Sequence, residues 1–298
     1  MQAARFSRFG GPEVLELVEL PDPVPGPGEV RVAVRAAGVN ASDWKKRQGR
    51  MDQELPQTLG YEAAGVVDRL GEGVTDVAAG DRVFGFSAGA AQAELTVLVH
   101  YAPIPPSLGF AEAAALPVAV ETAARALDQL GVQDGETLLV NGASGSIGRT
   151  AVQLASARGA RVIGTCGPGS HDRVRALGAE PVTYGDGLAE RVRGLAGGVD
   201  RALDVAGSGV LPELIELAAG PERVLTIADF AGAQRYGVRF SRGDGGRALY
   251  ALGRIGGLVE SGRFEVPIGR TFALADIAEA HRVGEAGQVR GKLILLAG

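Results

Sequence analysis

The 298-residue sequence has few of the residues that build disulfides and metal sites. Its single cysteine, Cys166, excludes an internal disulfide and a four-cysteine zinc site. The three histidines, His100, His171 and His281, are scattered along the chain and lack the spacing of zinc ligands. We therefore expect no bound metal.

Long apolar runs and a surplus of basic residues are also missing. No stretch approaches the roughly 18 apolar residues of a membrane span, and the first residues, MQAARFSRFGGPEVLEL, lack the apolar core of a signal peptide. The net charge of −5 argues against a general nucleic-acid surface. We expect a cytoplasmic protein with neither membrane nor nucleic-acid partners.

The order of strand-like and helix-like segments changes near residue 120. Before it, short strands alternate with Pro- and Gly-rich turns, which predicts a β-rich unit with strands at 30–34, 64–67, 82–86 and 94–99. After it, apolar runs alternate with helix-like segments, which predicts a doubly wound parallel sheet with strands at 137–141, 161–165, 181–184, 199–205 and 223–227. A further strand at 238–240 and helices at 246–260 and 276–283 are also predicted.

The tail of the chain returns to strand-like sequence. The predicted fold is therefore α/β, with a Rossmann domain at 121–261 inserted into a β-rich domain made of residues 1–120 and 262–298. No internal repeats are found.

A glycine turn, residues 142–148 (GASGSIG), separates a strand from a helix. The first glycine permits the tight turn, the second lets the backbone approach a pyrophosphate, and the third lets helix and strand pack closely. Ser144, Ser146 and Ile147 complete the turn, whose amides face the phosphates at the positive end of the helix. The alternative is a close-packed turn with no ligand.

The end of the second strand indicates which dinucleotide binds. NAD sites place an Asp or Glu there for the ribose hydroxyls, but here the strand ends in Thr165, Cys166 and Gly167, and the first acid is Asp172. Small residues admit a 2′-phosphate, and Arg173 either pairs with it or is a solvated helix arginine. The sequence favours NADPH. Cys166 is interpreted as a small residue beside the ribose rather than a redox sensor.

Two enzyme families use such a turn. Short-chain dehydrogenases need a Tyr-x-x-x-Lys pair, and none of the five tyrosines here has a lysine four residues later. The chain instead resembles the medium-chain dehydrogenase/reductase superfamily, in its zinc-free quinone oxidoreductase (zeta-crystallin-like) branch. The matching segments are FGGPEVLEL (9–17), GEVRVAVRAAGVNASDWKKRQG (28–49), LGYEAAGVV (59–67), GDRVFGF (80–86), AALPVAVETAARAL (114–127) and RGKLIL (290–295).

The resemblance implies a GroES-like catalytic domain and hydride transfer to a quinone or to the β-carbon of a conjugated carbonyl. Zinc-dependent relatives have Cys in place of Asn40 and His in place of Tyr61, so the reaction is expected to need no metal. By resemblance, Asn40 lies beside the nicotinamide, although a turn-stabilising role is the alternative. Lys45 and Tyr61 are candidate donors to the acceptor's oxygen, with a surface lysine and a core tyrosine as the alternatives, whereas Asp43 braces the loop.

The resemblance also assigns cofactor contacts beyond the turn. Thr122 is expected at a helix start, where it caps amides or touches the cofactor. Tyr184 is expected near the adenosine phosphate, with a plain strand tyrosine as the alternative. Residues at the carboxyl ends of the fourth and fifth strands should line the nicotinamide or belong to the ordinary core, namely Val205, Ala206, Ile227 and Ala228. Family members are often homodimers, and we expect the same here.

Several alternatives remain open from the sequence. The acceptor is a free quinone or enone, or an enoyl group on a carrier or on CoA; a non-catalytic NADPH-binding protein is the third possibility. Phe230 and the loop that follows it either cover the substrate or have no such role. Arg290 and Lys292 either meet phosphate or anchor the last strand.

Overall fold

The computed structural model describes residues 1–287 and 289–298. The chain forms two compact units, which are described separately. The first consists of Met1–Val118 and Leu252–Gly298, and the second of Ala119–Ala251. The second unit is therefore an insertion in the sequence of the first.

The amino-terminal part of the first unit is rich in strands. Its strands are β1 (Gln2–Phe6), β2 (Glu16–Glu19), β3 (Val30–Val39), β4 (Gln57–Thr58), β5 (Glu62–Leu70), β6 (Arg82–Ser87) and β7 (Leu95–Pro103). Two short helices, α1 (Ala41–Arg47) and α2 (Phe110–Ala114), interrupt and follow them. The four strands predicted from sequence are all present, and each is longer or shifted by a residue because pairing with neighbours, not local propensity, sets its ends.

The second unit alternates helices and strands. Its elements begin with α3 (Pro117–Leu130), whose first residues still belong to the first unit, and continue with β8 (Thr137–Asn141), α4 (Ser146–Ala157), β9 (Arg161–Cys166), α5 (His171–Ala176), β10 (Ala179–Thr183), α6 (Leu188–Ala196), β11 (Arg201–Asp204), α7 (Leu211–Ala218), β12 (Val224–Thr226), α8 (Phe230–Tyr236) and β13 (Arg239–Phe240). All pairings are parallel, in the order β10-β9-β8-β11-β12-β13. This is the Rossmann order, and it confirms the predicted fold class.

The chain then returns to the first unit through α9 (Tyr250–Glu260), β14 (Ile268–Ala273), α10 (Ile277–Ala286) and β15 (Lys292–Leu296). Strands β14 and β15 complete a six-stranded sheet whose order is β14-β15-β3-β5-β6-β7. Because β7 also pairs with β3, four of the strands close on themselves. A smaller sheet has the order β2-β1-β4.

Two predicted boundaries need correction. The helix expected at 246–260 begins only at Tyr250, since Gly246 has a left-handed φ of +102°. The strand expected at 181–184 ends at Thr183 and leaves Tyr184 outside the sheet. Within the first unit, Glu260 on α9 accepts hydrogen bonds from Ser107.

Candidate functional site

The first and third glycines of the turn are required by packing within the second unit. Gly142 has a φ of +92°, and a Cβ there would lie 2.9 Å from the Cβ of Ala206. A Cβ at Gly148 would lie 2.1 Å from the carbonyl oxygen of Gly142. These two glycines therefore bring the start of α4 against the end of β8.

The middle glycine has no such reason inside the protein. Gly145 is exposed, its φ is −76°, and the nearest atom to an added Cβ would be the Gly142 oxygen at 3.5 Å. It is the N-cap of α4, and no side chain caps the amides of the first turn. Neighbouring Ser144 and Ile147 are partly exposed and Ser146 is exposed. The uncapped amides and the lack of a side chain at Gly145 leave room for a pyrophosphate to bind.

Four polar side chains join the carboxyl ends of β9, β8, β11 and β12, and we call them the polar belt: Thr165, Asn141, Asp204 and Thr226. Thr165 Oγ1 donates to Asn141 Oδ1 at 2.7 Å, and Asn141 Nδ2 donates to Asp204 Oδ1 at 2.9 Å. Thr226 Oγ1 donates to Asp204 Oδ2 at 2.7 Å. All four residues are at most 2% exposed. Hydrogen bonds in such a connected network are stronger in the low-dielectric interior of a protein than in water.

The polar belt also holds the turns that follow these strands. Asp204 Oδ1 accepts from the amides of Ala206 and Gly207 at 3.0 and 2.9 Å. Thr226 Oγ1 accepts from the amides of Ala228 and Asp229, both at 3.1 Å. The sequence reasoning did not single out Asn141, Asp204 or Thr226. The available signal was that each apolar strand ends in a polar residue.

The predicted nicotinamide-side residues lie in those turns. Strand β11 ends at Asp204 and β12 at Thr226, so Val205, Ala206, Ile227 and Ala228 come just after the strands rather than within them. Val205 and Ile227 are partly exposed, and the two alanines are exposed. They are accessible residues at the carboxyl edge of the sheet and not part of its core.

Arg173 and Tyr184 both lie near the end of β9. The exposed Arg173 donates from Nη2 to the oxygen of Gly169 at 3.0 Å, and its charge opposes the burial that raises the pKa of the Cys166 thiol. The ring of Tyr184, 61% exposed, would be 3.7 Å from a Cβ at Gly167. Asp172 forms an ion pair with Arg175 at 2.8 Å.

Thr122 does not lie at a helix start, so its predicted capping role is wrong. It is in the second turn of α3, which begins at Pro117, and its Oγ1 is 3.5 Å from the carboxylate of Glu121. Glu121 is itself buried and accepts from Arg125 Nε at 2.8 Å and from the amide of Ala248 at 3.1 Å. This ion pair fixes the loop before α9 to α3.

In the first unit, four residues form what we call the Asn40 cluster: Asn40, Asp43, Glu62 and Lys292. Lys292 Nζ donates to Glu62 Oε1 at 2.6 Å and to Asn40 Oδ1 at 2.5 Å, and Asn40 Nδ2 donates to Glu62 Oε1 at 2.8 Å. Glu62 is fully buried and Lys292 is 6% exposed. Gly38 leaves room for the carboxylate, since a Cβ there would lie 2.2 Å from Glu62 Oε1. Of the two alternatives for Lys292, anchoring of the last strand is observed.

Asp43 fixes the backbone around the cluster. Its carboxylate accepts from the amide of Asn40 at 2.7 Å and from that of Gly60 at 3.3 Å, which agrees with the bracing role expected from sequence. Burial raises the pKa of Asp43 to about 7, although these hydrogen bonds and the Lys292 charge act in the opposite direction. Glu62 Oε2 accepts from the amide of Val118 at 2.7 Å.

Tyr61 is close to this cluster, whereas Lys45 is on the exposed face of α1. Burial, with the Asp43 and Asp52 carboxylates, raises the pKa of Tyr61 to about 12, so its hydroxyl stays protonated. The ammonium of Lys46, not Lys45, lies 6.0 Å from the Tyr61 ring centroid. Asp43 links the backbone of Asn40 to that of Gly60, the residue before Tyr61.

The described side chains of residues 1–287 and 289–298 contain no group of three or more His, Cys, Asp or Glu placed to hold a metal ion. No helix in this part of the chain is both long enough and apolar enough to cross a membrane.

Comparison with known proteins identifies relatives of both units. Residues 26–120 match the alcohol dehydrogenase GroES-like domain, and residues 177–295 match the zinc-binding dehydrogenase domain. The chain is 34% identical to the quinone oxidoreductase of Pseudomonas aeruginosa over 98% of both chains. It is 36% identical to the spectinabilin polyketide synthase system protein NorB of Streptomyces orinoci, over 98% of this chain but only 14% of that protein.

Solved structures share the whole fold. The quinone oxidoreductase of Coxiella burnetii superimposes with a TM-score of 0.88 at 30% identity, over 100% of this chain and 99% of the other. A mycobacterial protein solved in complex with NADPH superimposes with a TM-score of 0.86 at 29% identity, over 99% of both chains. The chain therefore belongs to the medium-chain dehydrogenase/reductase superfamily of nicotinamide-dependent oxidoreductases, in its quinone oxidoreductase branch.

Proposed function

We propose that the protein is an NADPH-dependent, zinc-independent reductase that delivers hydride to a quinone or to the β-carbon of an α,β-unsaturated carbonyl. When bound, NADPH would supply the hydride from C4 of its nicotinamide. The observation that carries the proposal is Gly145, an exposed glycine at the start of α4 that nothing in the protein requires. A side chain there would hinder a pyrophosphate approaching the amides of the turn.

Residues of the second unit would hold the cofactor. The proposed contacts are the glycine turn (Gly142, Ser144, Gly145, Ser146, Ile147 and Gly148), the strand ends (Thr165, Val205, Ala206, Ile227 and Ala228), and Thr122, Arg173 and Tyr184. Because Thr165 is 1% exposed and its hydroxyl is engaged within the polar belt, it would act on the cofactor by holding the amide of Gly142. The belt pre-organises these turns, so that little is lost in ordering them when the cofactor binds.

NADPH is proposed over NADH because of the end of β9. No carboxylate is present at residues 165–171 to repel a 2′-phosphate, and the Arg173 guanidinium donates to the oxygen of Gly169, which lies in the same segment. A guanidinium suits phosphate because it offers a fork of donors. The mycobacterial neighbour solved with NADPH supports the same choice.

Residues of the first unit would act on the acceptor. Negative charge grows on the acceptor's oxygen as hydride arrives, and fixed donors aimed at that oxygen lower the barrier. Asn40 and the protonated Tyr61 are the proposed donors, and Lys45 is a third candidate, which would have to reach the acceptor from an exposed position. None of these roles requires a metal ion.

A second candidate function is an enoyl reductase that acts on a carrier-bound or CoA thioester. It is favoured by relatives named as polyketide synthase proteins. A non-catalytic NADPH-binding protein is the remaining alternative.

The deciding experiment incubates the protein with NADPH and a panel of quinones, enones and enoyl thioesters and follows the loss of NADPH absorbance. Turnover of quinones or free enones supports the proposal, and turnover of thioesters alone supports the second candidate. Bound NADPH with no turnover supports the binding protein. Metal analysis accompanies the assay, because stoichiometric zinc needed for activity would contradict a zinc-independent reaction.

We also propose that the protein is a homodimer, as members of its branch often are. Light scattering on the eluting protein measures its mass. A mass of one 30.5 kDa chain would contradict this proposal.

A further inference from the structure

We propose that Lys292 and Glu62 are positioning residues that fix the side-chain amide of Asn40 as a hydrogen-bond donor to the acceptor's oxygen. The part of this inference that concerns the acceptor rests on the function proposed above. The orientation of the amide is argued from the structure alone.

The three side chains form a closed ring of hydrogen bonds. The Lys292 ammonium contacts both Glu62 Oε1 and Asn40 Oδ1, and Asn40 Nδ2 contacts the same Glu62 oxygen. Rotating the amide by half a turn would place its NH2 group against the ammonium and its oxygen against the carboxylate. Both interactions would become repulsive, and burial of the ion pair makes that repulsion costly.

The ring is held from several parts of the chain. Asn40 lies between β3 and α1, Glu62 begins β5 and Lys292 begins β15. Asp43 holds the amide of Asn40, and the second oxygen of Glu62 accepts from Val118. The orientation of the Asn40 side chain is thus determined by tertiary structure rather than by its own rotamer preference.

This arrangement limits what Asn40 can offer a ligand. Its oxygen faces the ammonium, and one of its two amide hydrogens goes to Glu62, which leaves one N–H. Asn40 is the partly exposed member of the ring, whereas Lys292 and Glu62 are buried. The ring therefore fixes the direction of the remaining N–H. A donor of this kind suits a carbonyl oxygen that gains negative charge.

A buried ion pair is weak evidence for stability, because desolvation offsets much of its attraction. Its orienting effect on Asn40 is therefore the more informative property. Lys292→Met should lower kcat by about tenfold to a hundredfold, as misplaced catalytic groups do, while the dissociation constant for NADPH stays unchanged. Lys292→Arg keeps the charge and should recover part of kcat.

A double-mutant cycle separates positioning from general damage. In an Asn40→Ala background, Lys292→Met should have little further effect on kcat, because the residue through which it acts is gone. Arg31→Met is the matched control. It breaks the ion pair of Arg31 on β3 with Asp68 on β5, and should leave kcat unchanged.

A spectroscopic measurement is independent of turnover. The sequence has two asparagines, Asn40 and Asn141, so protein labelled with ¹⁵N-asparagine gives two side-chain amide pairs in an NMR spectrum, one from each unit. Lys292→Met should shift the Asn40 pair and leave the Asn141 pair in place, which also shows that the second unit remains folded.

The outcomes are distinguishable. Unshifted Asn40 signals, or an equal loss of kcat with and without Asn40, would overturn the inference. Full activity of Asn40→Ala would instead overturn the proposed role of Asn40 on the acceptor, while the NMR result would still decide whether Lys292 holds the amide.

Discussion

Gly142 and Thr165 are joined by a hydrogen bond of 3.0 Å from the amide of the first turn glycine to the hydroxyl at the end of β9. The Thr165 hydroxyl also donates to Asn141. From Asn141 a chain of hydrogen bonds continues through Asp204 to Thr226. The glycine turn is therefore tied by side chains to the ends of all four central strands. Its shape depends on the polar belt as well as on its own glycines.

Alanine substitutions in the turn should separate binding from folding. Gly145→Ala should lower the free energy of unfolding by about 1 kcal/mol or less, because the added methyl group has room and the φ is ordinary, while alanine is a poorer N-cap than glycine. It should weaken NADPH binding by at least about tenfold, or about 1.4 kcal/mol. Titration calorimetry and urea unfolding measure the two effects.

Gly148→Ala is the matched control for that substitution. Its Cβ would overlap the Gly142 oxygen at 2.1 Å, so we expect a loss of about 1–3 kcal/mol in the free energy of unfolding, as for other overpacked sites. Unchanged NADPH affinity in Gly145→Ala would show that the turn does not approach a phosphate.

Asp204→Asn should loosen the polar belt. The carboxylate accepts from four donors, including the amides of Ala206 and Gly207, and an amide presents an NH2 group to some of them. We expect the free energy of unfolding to fall by about 1–3 kcal/mol and NADPH to bind about tenfold more weakly. Urea unfolding and titration calorimetry apply here too.

The control for this variant is Asp200→Asn, which changes an exposed carboxylate just before β11. The Asp200 carboxylate accepts from the amide of Thr137 at 2.8 Å. This substitution should leave NADPH affinity unaltered. Equal effects of the two substitutions would mean that the belt has no special connection to the cofactor.

Arg173→Ala tests the choice of coenzyme. Loss of a charged hydrogen-bond donor to the 2′-phosphate should cost about 1.5–3 kcal/mol, which is roughly 10- to 100-fold in NADPH affinity, with NADH affinity unchanged. Arg175→Ala removes the neighbouring arginine, which is already paired with Asp172, and should have little effect. Tighter binding of NADH than of NADPH by the wild-type protein would refute the interpretation of β9.

The stability of the first unit should depend on pH through His281. This histidine is fully buried on α10, and burial, together with the charge of Arg47, lowers its pKa to about 3 from 6.5. Between these values the unfolded chain binds a proton that the folded chain does not. The contribution of His281 to the free energy of unfolding should therefore rise with pH across this window, by up to about 1.4 kcal/mol per pH unit.

Urea unfolding of the wild type and of His281→Gln at several pH values measures that contribution, since the variant lacks the titrating group. Subtracting the two curves is needed because Asp43, with its raised pKa of about 7, favours the folded state at low pH and acts in the opposite direction. His100→Gln, which changes an exposed histidine on β7, should retain the wild-type slope.

Most of the strands could be predicted from the sequence, because a strand that is buried on both faces of a parallel sheet consists of a continuous apolar run. Residues 137–141 were predicted and are observed as β8. Shorter strands were less well placed: the run at 199–205 forms a strand only over Arg201–Asp204. Thr122 was assigned to a helix start that lies at Pro117, since helix ends carry weaker signals than helix interiors.

The candidate site was predicted only in part, for a similar reason. The glycine turn could be found because its residues are adjacent in sequence and each glycine has a local role. Asn141, Asp204 and Thr226 could not be assigned partners, because the residues they meet are up to 67 positions away. Lys292 was left between two interpretations, since a buried lysine and an exposed one look alike in a sequence.

The sequence by itself determined the family, the alternation of strands and helices, and the glycine turn, because these depend on side-chain periodicity and on short-range backbone geometry. Tertiary structure alone decided which polar side chains meet. Lys292 reaches Asn40 across 252 positions of the chain, and only the pairing of β15 with β3 brings the two together. A hydrogen bond requires atoms within about 3 Å, and no local pattern specifies that proximity for residues so far apart.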